Sequence, residues 1–236
     1  MLELGAGTGA MTQRIVDSGK ISTLMYTAID DQSSNIAELE NQAAAWLENR
    51  PFINLFAKVD TAEQFVEAQI NERFFDAILA HAFLDLVDLD TFLPKLLELL
   101  PPDGIGYFTI NFDGDTIFQP SHPADEQILA AYHRSMTDPH SGRKLLQKLS
   151  SLDTEILAAG SSDWVVYPKQ GAYPADEAYF LQHILSFFED SLSGQTEVDQ
   201  AVLDEWLQAR RAQVDAGELI YIAHQLDIVF KKLDSE

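Results

Sequence analysis

The chain has no cysteine among its 236 residues, which excludes disulfides, thiolate metal sites and a cysteine nucleophile. Basic residues are also scarce, because 15 Lys and Arg stand against 38 Asp and Glu and give a net charge of −23. Such a surface repels nucleic acid and anionic lipid at long range. We therefore expect neither nucleic acid nor membrane as a partner. The plainest interpretation of the charge is that it keeps the protein soluble.

Long apolar runs are absent as well. None approaches the roughly 20 residues that a membrane-spanning helix needs, and no basic stretch of the signal-peptide kind follows Met1. We therefore expect a cytoplasmic protein. Hydrophobic residues make up 46% of the sequence, which is typical of a globular domain with one sizeable core. The histidines show no metal-ligand spacing, so no metal is expected.

Four short apolar segments alternate with four helical patterns in the first half of the chain. The apolar segments are rich in branched and aromatic residues and predict buried strands at 23–29, 52–59, 74–83 and 104–112. The helical patterns cover 8–19, 34–49, 61–71 and 89–100. This alternation predicts an α/β fold, a doubly wound parallel sheet with helices on both faces.

The second half is less regular and begins with a polar, proline-punctuated segment, 113–123, that is predicted to be a loop. Helices are predicted at 124–136, 142–152, 175–192 and 197–217, and strands at 154–160, 164–168 and 218–232. No flexible linker or repeat separates the halves. We therefore expect a single domain over residues 1–236, with cap insertions at about 113–141 and 170–217.

A glycine-rich turn follows the first apolar residues, in the sequence LELGAGTG. Gly5, Gly7 and Gly9 would let a ligand approach the backbone closely. The third glycine comes one residue too early for the dinucleotide pattern G-x-G-x-x-G. Glu3 stands two positions before the first glycine, where a carboxylate would repel a pyrophosphate and attract a cation. S-adenosylmethionine fits this pattern, since it carries an ammonium and a sulfonium and no phosphate.

Two further acidic residues follow the next strands. Asp30 ends the second strand, where a carboxylate can accept hydrogen bonds from a ribose diol. Asp60 ends the third strand, where its carboxylate or the following backbone could contact an adenine edge. The carboxyl ends of parallel strands meet at one edge of the sheet, where ligands bind. The alternatives are a purely structural turn, a surface role for Asp30, and Asp60 as only a helix N-cap.

With these motifs the sequence resembles the class I S-adenosylmethionine-dependent methyltransferases, of small-molecule type. LELGAGTG, YTAIDDQSSNI, KVDTAEQF, FDAILAHAFLDLVD and LLELLPPDGIGYFT match successive motifs of that family. The resemblance implies a Rossmann-like seven-stranded sheet of order 3-2-1-4-5-7-6 with the last strand antiparallel. It implies S-adenosyl-L-methionine as cofactor, held by these residues: Glu3, Gly5, Ala6, Gly7, Asp30, Asp31, Asp60, Thr61 and His81.

The family transfers a methyl group by in-line displacement at the sulfonium, so the protein mainly aligns and desolvates the reactants. A general base is needed only for an acceptor that is protonated near neutral pH. His81 is the candidate base, and its alternatives are a contact to the cofactor or a structural role. The candidate acceptor-pocket residues are Phe83, Asp85, Tyr132, His133, Arg134, Trp164 and Tyr173. The alternatives there are core packing for Trp164 and a solvated helix face for Arg134.

We therefore predict a methyltransferase that acts on a small molecule. The alternative is a catalytically silent module that binds the cofactor or a partner on the same fold. A nicotinamide-dependent oxidoreductase is disfavoured, because it would set a pyrophosphate against Glu3. The family has a helix before its first strand, whereas only four residues precede Gly5, so we expect a truncated N-terminus. Apolar surface that the missing helix would have covered can drive dimerisation, so we also expect a homodimer.

Overall fold

The computed structural model describes residues 1–72 and 74–234. Its elements are, in chain order, β1 (Leu2–Leu4), α1 (Ala10–Asp17), β2 (Leu24–Asp30), α2 (Ser33–Leu47), β3 (Ile53–Val59), α3 (Ala62–Gln69), β4 (Ala77–His81), α4 (Leu89–Glu98), β5 (Ile105–Gln119), α5 (Asp125–Ser135), α6 (Ser141–Leu149), β6 (Thr154–Ser161), β7 (Trp164–Val166), α7 (Glu177–Leu192), α8 (Gln200–Asp215) and β8 (Ile220–Lys232). A 3₁₀ turn, Leu84–Leu86, follows β4.

The strands are ordered β3-β2-β1-β4-β5-β8-β6, and the pairs among β1 to β5 are parallel. The end of β8 lies beside the start of β5, because Lys232 exchanges backbone hydrogen bonds with residues 103 and 104 at 2.9 Å each. The last strand is therefore antiparallel. The predicted doubly wound fold and its strand order are confirmed. The short β7, which pairs with β8, only shifts the numbering of the last strand by one.

Contacts divide the chain into two compact units. The first comprises Met1–Asn111, Ser141–Gly160 and the described residues from Leu226 onward, and the second comprises Phe112–His140 and Ser161–Gln225. In the first unit the sheet buries both faces. Ile29 points into the cluster that includes Phe65 of α3, whereas Tyr26 points into the cluster that includes Leu39 of α2. Alternate residues of one strand thus serve opposite layers, as a doubly wound sheet requires.

The second unit has its own apolar core around Phe118, Phe188 and Trp206, which lie edge-on or tilted to one another at centroid distances of 5.3–5.6 Å. Arg210 is fully buried there, pairs with Asp125 and stacks over the ring of Trp206. Within residues 1–72 and 74–234, none of the helices combines the length and the apolar character needed to cross a membrane.

The predicted loop at 113–123 is wrong over its first half, because β5 continues to Gln119. Thr116 and Phe118 are buried whereas Asp115 and Ile117 are exposed, so the segment alternates as a half-buried strand does. Its polar residues and Gly114 hid that alternation in the sequence.

Candidate functional site

The glycine-rich turn joins β1 to α1 in the first unit. Gly5, Gly7 and Gly9 have φ angles of 65°, 54° and 89°, in the left-handed region that side chains rarely adopt. Ala6 lies between the first two of these glycines, and its amide donates to the carbonyl of Ile29 at 3.0 Å. The spacing of the glycines in the sequence therefore marks three positions where the backbone itself requires glycine.

The three glycines differ in what surrounds them. A Cβ on Gly9 would lie 2.9 Å from Leu39 and 3.1 Å from Trp46. A Cβ on Gly5 would lie 2.9 Å from the ring of Phe83. A Cβ on Gly7 would meet no described atom within 4 Å. Gly9 and Gly5 are therefore needed for packing, and Gly7 borders open space where a ligand can approach.

This difference gives a test with a built-in control. Gly9→Ala should lower the free energy of unfolding by about 2–4 kcal/mol, from a left-handed alanine and from overpacking against α2. Gly7→Ala should cost about 1 kcal/mol, from the backbone alone. Chemical denaturation of both variants measures the two values. Equal losses would contradict the packing described here.

Asp30 organises the turn from the end of β2. Its Oδ2 accepts the amide of Gly7 at 2.8 Å, and its Oδ1 accepts the amide of Gln32 at 3.0 Å and the side chain of Asn35 at 2.9 Å. The residue is only 8% exposed. A carboxylate has about four lone-pair directions, so three internal bonds leave roughly one for a ligand. Asn35 is a partner that the sequence patterns did not reveal.

Glu3 lies beneath the turn and is 2% exposed. Its Oε2 accepts the hydroxyls of Tyr26 at 2.6 Å and Thr12 at 2.9 Å. Burial raises the pKa of Glu3 to about 7, against the lowering effect of these two hydrogen bonds, and the nearby Asp30 raises it further. The structure therefore places this carboxylate in the layer below the ligand edge, held by neighbouring side chains.

A cavity of about 310 Å³ opens at the carboxyl ends of β1 to β4. Of the predicted site residues it brings together Gly5, Asp30, Asp31, Asp60, Thr61 and Phe83. The predicted residues of the first unit that are not part of its lining are Glu3, Ala6, Gly7, His81 and Asp85. It is completed by Ile29, Ala62, Glu63, Ala82, Leu86 and Val87, which the sequence patterns did not assign to a site. The signal that could have found the last three is their position directly after β4.

Asp60 and Thr61 lie where β3 leads into α3. The alternative of Asp60 as the N-cap is wrong, because Thr61 caps the helix by accepting the amide of Gln64 at 3.3 Å. The carboxylate of Asp60 instead binds Lys58 Nζ at 2.6 Å. Asp60 therefore lies on the cavity wall with its carboxylate paired to a half-exposed lysine.

His81 ends β4 but does not line the cavity. Its Nδ1 lies 2.5 Å from the hydroxyl of Thr109, and its Nε2 is enclosed with no hydrogen-bond partner among the described residues. Burial lowers the pKa of His81 to about 4, despite the opposing charge of Asp227. The ring is therefore neutral at physiological pH. Asp85 follows in the 3₁₀ turn, and burial raises its pKa.

Three aromatic candidates for an acceptor pocket lie in the second unit and pack into its core. Tyr132 stacks on Phe188 with ring centroids 3.9 Å apart, and Trp164 lies edge-on to Phe180 at 4.9 Å. The hydroxyl of Tyr173 donates to the main-chain carbonyl just before β8 at 2.8 Å. Each of these rings thus has a packing role within its own unit.

The two polar candidates on α5, His133 and Arg134, also have partners within the second unit. Nε2 of His133 lies 3.2 Å from the hydroxyl of Thr116, and burial lowers the pKa of this histidine. Arg134 pairs with Glu197 at 3.0 Å, and both side chains are half-exposed. In the part of the chain that the structure describes, no three Asp, Glu or His side chains come together as a metal site would require.

Comparison with known proteins identifies the fold. No protein-family model and no curated protein sequence matches the chain. Several solved structures do match the chain. An S-adenosylmethionine-dependent methyltransferase from Thiobacillus denitrificans, in complex with S-adenosyl-L-homocysteine, is 13% identical with a TM-score of 0.51, over 98% of this chain and 84% of that one. The cyclopropane synthase MmaA2 from Mycobacterium tuberculosis is 12% identical with a TM-score of 0.56, over 98% and 77%.

Coclaurine N-methyltransferase, bound to N-methylheliamine and S-adenosyl-L-homocysteine, is also similar, at 15% identity and a TM-score of 0.51, over 98% of this chain and 66% of that one. At these identities the likeness shows the fold. The chain thus has the Rossmann-like α/β fold of the class I methyltransferases, with the strand order that the resemblance implied.

Proposed function

We propose that the protein binds S-adenosyl-L-methionine and transfers its methyl group to a small-molecule acceptor. The observation that carries this proposal is the cavity at the carboxyl ends of β1 to β4, with Asp30, Asp31 and Asp60 on its wall. It lies where the chain order of the strands reverses, between β1 and β4, which is the usual ligand position in an open α/β sheet. Three carboxylates favour a cationic ligand over a pyrophosphate.

The residues present fit this cofactor. Asp30 and Asp31 would accept the ribose hydroxyls, and Asp60 and Thr61 would meet the adenine edge. The open space over Gly7 suits the methionine portion, because no described atom lies within 4 Å of a Cβ there. When bound, the cofactor supplies an electrophilic methyl group whose leaving group is a neutral thioether.

The chain's own contribution is to position the reactants and exclude water. Neutral His81 is a weak base, since its pKa of about 4 lies far below physiological pH. The proposal therefore favours an acceptor whose nucleophile is already deprotonated near neutral pH. The negative surface fits a small acceptor better than a nucleic acid.

Calorimetric titration tests the cofactor. S-adenosylmethionine and S-adenosylhomocysteine should both bind and raise the melting temperature, whereas NAD should do neither. Release of S-adenosylhomocysteine over a library of small acceptors then tests transfer. Binding of NAD, or no binding of either S-adenosyl compound, would contradict the proposal.

A catalytically silent binding module is the second candidate. One observation favours it: the only predicted base, His81, has its free Nε2 enclosed and away from the cavity lining. Cofactor binding without turnover on any acceptor would select this candidate. His81→Asn would separate the roles further, because a catalytic His81 predicts a loss of kcat with unchanged cofactor affinity, and a structural one a loss of stability.

The proposal also includes the cap insertions, the acceptor-pocket residues and the homodimer expected from the sequence. We propose that the segments 113–141 and 170–217 belong to one methyltransferase domain as its cap insertions. A role in acceptor binding is tested by substituting the candidate residues of the second unit. The KM for the acceptor should rise while the affinity for S-adenosylhomocysteine stays unchanged. The residues are Tyr132, His133, Arg134, Trp164 and Tyr173. Light scattering tests the expected homodimer.

A further inference from the structure

Helix α7 of the second unit carries aromatic side chains on its exposed face. Tyr179 is 75% and Phe187 is 44% exposed, and His183 between them is exposed too. They are spaced at i, i+4 and i+8, so they run along one side of the helix. The rings of Tyr179 and His183 are parallel at 6.3 Å, and those of His183 and Phe187 lie 4.6 Å apart. We call these three residues the aromatic stripe.

The stripe does not belong to the core of its unit. The opposite side of α7 supplies the buried residues Leu181, Leu185 and Phe188. A helix in a globular protein normally keeps its apolar residues on one face and charged residues on the other. Here α7 also exposes large aromatic rings on the side away from the core, and exposed apolar surface of this kind is typical of a binding face.

An acidic residue stands at each end of the stripe. Asp176 lies three residues before Tyr179, and Asp190 lies three residues after Phe187, so both fall on the same side of α7. Both are exposed, and neither has an ion-pair partner among the described residues. Fourteen residues separate them, which is about 21 Å along a helix.

The charge around the stripe decides what can cover it. The second unit contains 16 Asp and Glu against 4 Lys and Arg. Three of those basic residues are already paired, Arg134 with Glu197, Arg210 with Asp125 and Arg211 with Glu189. An anionic partner, or a second copy of this chain at a net charge of −23, would therefore be repelled at this face. A cationic partner would be attracted.

We propose that the aromatic stripe is a docking face for a cationic amphipathic helix of a partner protein. The partner's apolar side chains, spaced by three and four residues, would pack on Tyr179 and Phe187. Its Lys or Arg residues, about 21 Å apart, would pair with Asp176 and Asp190 and lie over the exposed rings. This face is independent of the proposed methyl transfer.

A synthetic helical peptide tests the docking face on the full-length chain. The probe carries leucines at the helical spacing and one lysine at each end, about 14 residues apart. The control peptide has glutamate in place of the two lysines. Fluorescence anisotropy at low salt should show binding of the lysine peptide that weakens at least tenfold in high salt. Equal binding of the glutamate peptide would overturn the proposal.

Matched variants locate the site. The double variant Asp176→Asn and Asp190→Asn should weaken binding at least fivefold, and Tyr179→Ser with Phe187→Ser should weaken it at least tenfold. The controls, Glu40→Gln and Phe52→Ser, change an exposed acid and an exposed aromatic of the first unit and should leave it unchanged. Circular dichroism confirms that each variant is folded.

Two further outcomes would overturn the proposal. The first is that the control variants weaken binding as much as the stripe variants do, which would mean attraction to any acidic surface. The second is that the protein itself dimerises and that Phe187→Ser dissolves the dimer, which would assign the stripe to a second copy of this chain.

Discussion

Replacing Asp30 by alanine should weaken the binding of S-adenosylhomocysteine at least tenfold and lower the free energy of unfolding by about 2–4 kcal/mol. Asp30 is nearly buried and accepts three hydrogen bonds, from the amides of Gly7 and Gln32 and from the side chain of Asn35. Alanine would leave those donors unpaired and remove the side-chain hydrogen bond that ties Gly7 to the end of β2. The substitution therefore affects both the ligand's direct partner and the conformation of the backbone around it.

The conservative variant Asp30→Asn should also bind poorly, which makes it informative. All three hydrogen bonds that the Asp30 carboxylate accepts come from N–H groups, so an amide NH₂ would face at least one of them. Asp31→Ala should lose less affinity and less stability, since the side chain of Asp31 accepts a single exposed hydrogen bond among the described residues, from the side chain of Gln32 at 3.0 Å. Calorimetry and denaturation measure both quantities. Unchanged S-adenosylhomocysteine affinity in Asp30→Ala would contradict the cofactor assignment.

Glu3 should make the protein less stable as the pH rises from about 4.5 to about 7. Burial raises its pKa from 4.5 to about 7 in the folded state, so the folded protein holds a proton there that the unfolded chain releases. The stabilising contribution is complete below the unfolded pKa and is lost as the pH passes the folded one. A shift of this size corresponds to a change on the order of 3 kcal/mol.

Glu3→Gln isolates this contribution, because glutamine keeps the shape of the side chain and does not titrate. The stability difference, native protein minus variant, should fall by about 3 kcal/mol between pH 4.5 and pH 8. Other carboxylates titrate in both proteins and cancel in that difference. Glu40→Gln, at an exposed position, is the matched control for the substitution itself. A constant difference across the range would mean that Glu3 is ionised in the folded state at all these pH values.

Much of the fold could be predicted because its signals are local. Short apolar segments alternate with helical patterns, and that alternation alone requires a parallel sheet covered on both faces. The positions of Gly5, Gly7 and Gly9 likewise pointed to a turn that only glycine can form. The segment 113–123 could not be predicted in the same way, since β5 extends through polar residues whose strand conformation depends on pairing and on a core built by distant helices.

The candidate site was likewise predicted in part from the sequence and in part decided by the tertiary structure. By itself the sequence determined which residues reach the carboxyl edge of the sheet, because the residues that directly follow each parallel strand lie at that edge. Asp30, Asp31 and Asp60 do line the cavity there. Only the tertiary structure decided what each side chain meets. Tyr26 and Thr12 enclose Glu3 beneath the ligand edge, and Thr109 holds His81 beside it. These partners are distant in sequence, and burial by them sets the pKa and the reach of each group.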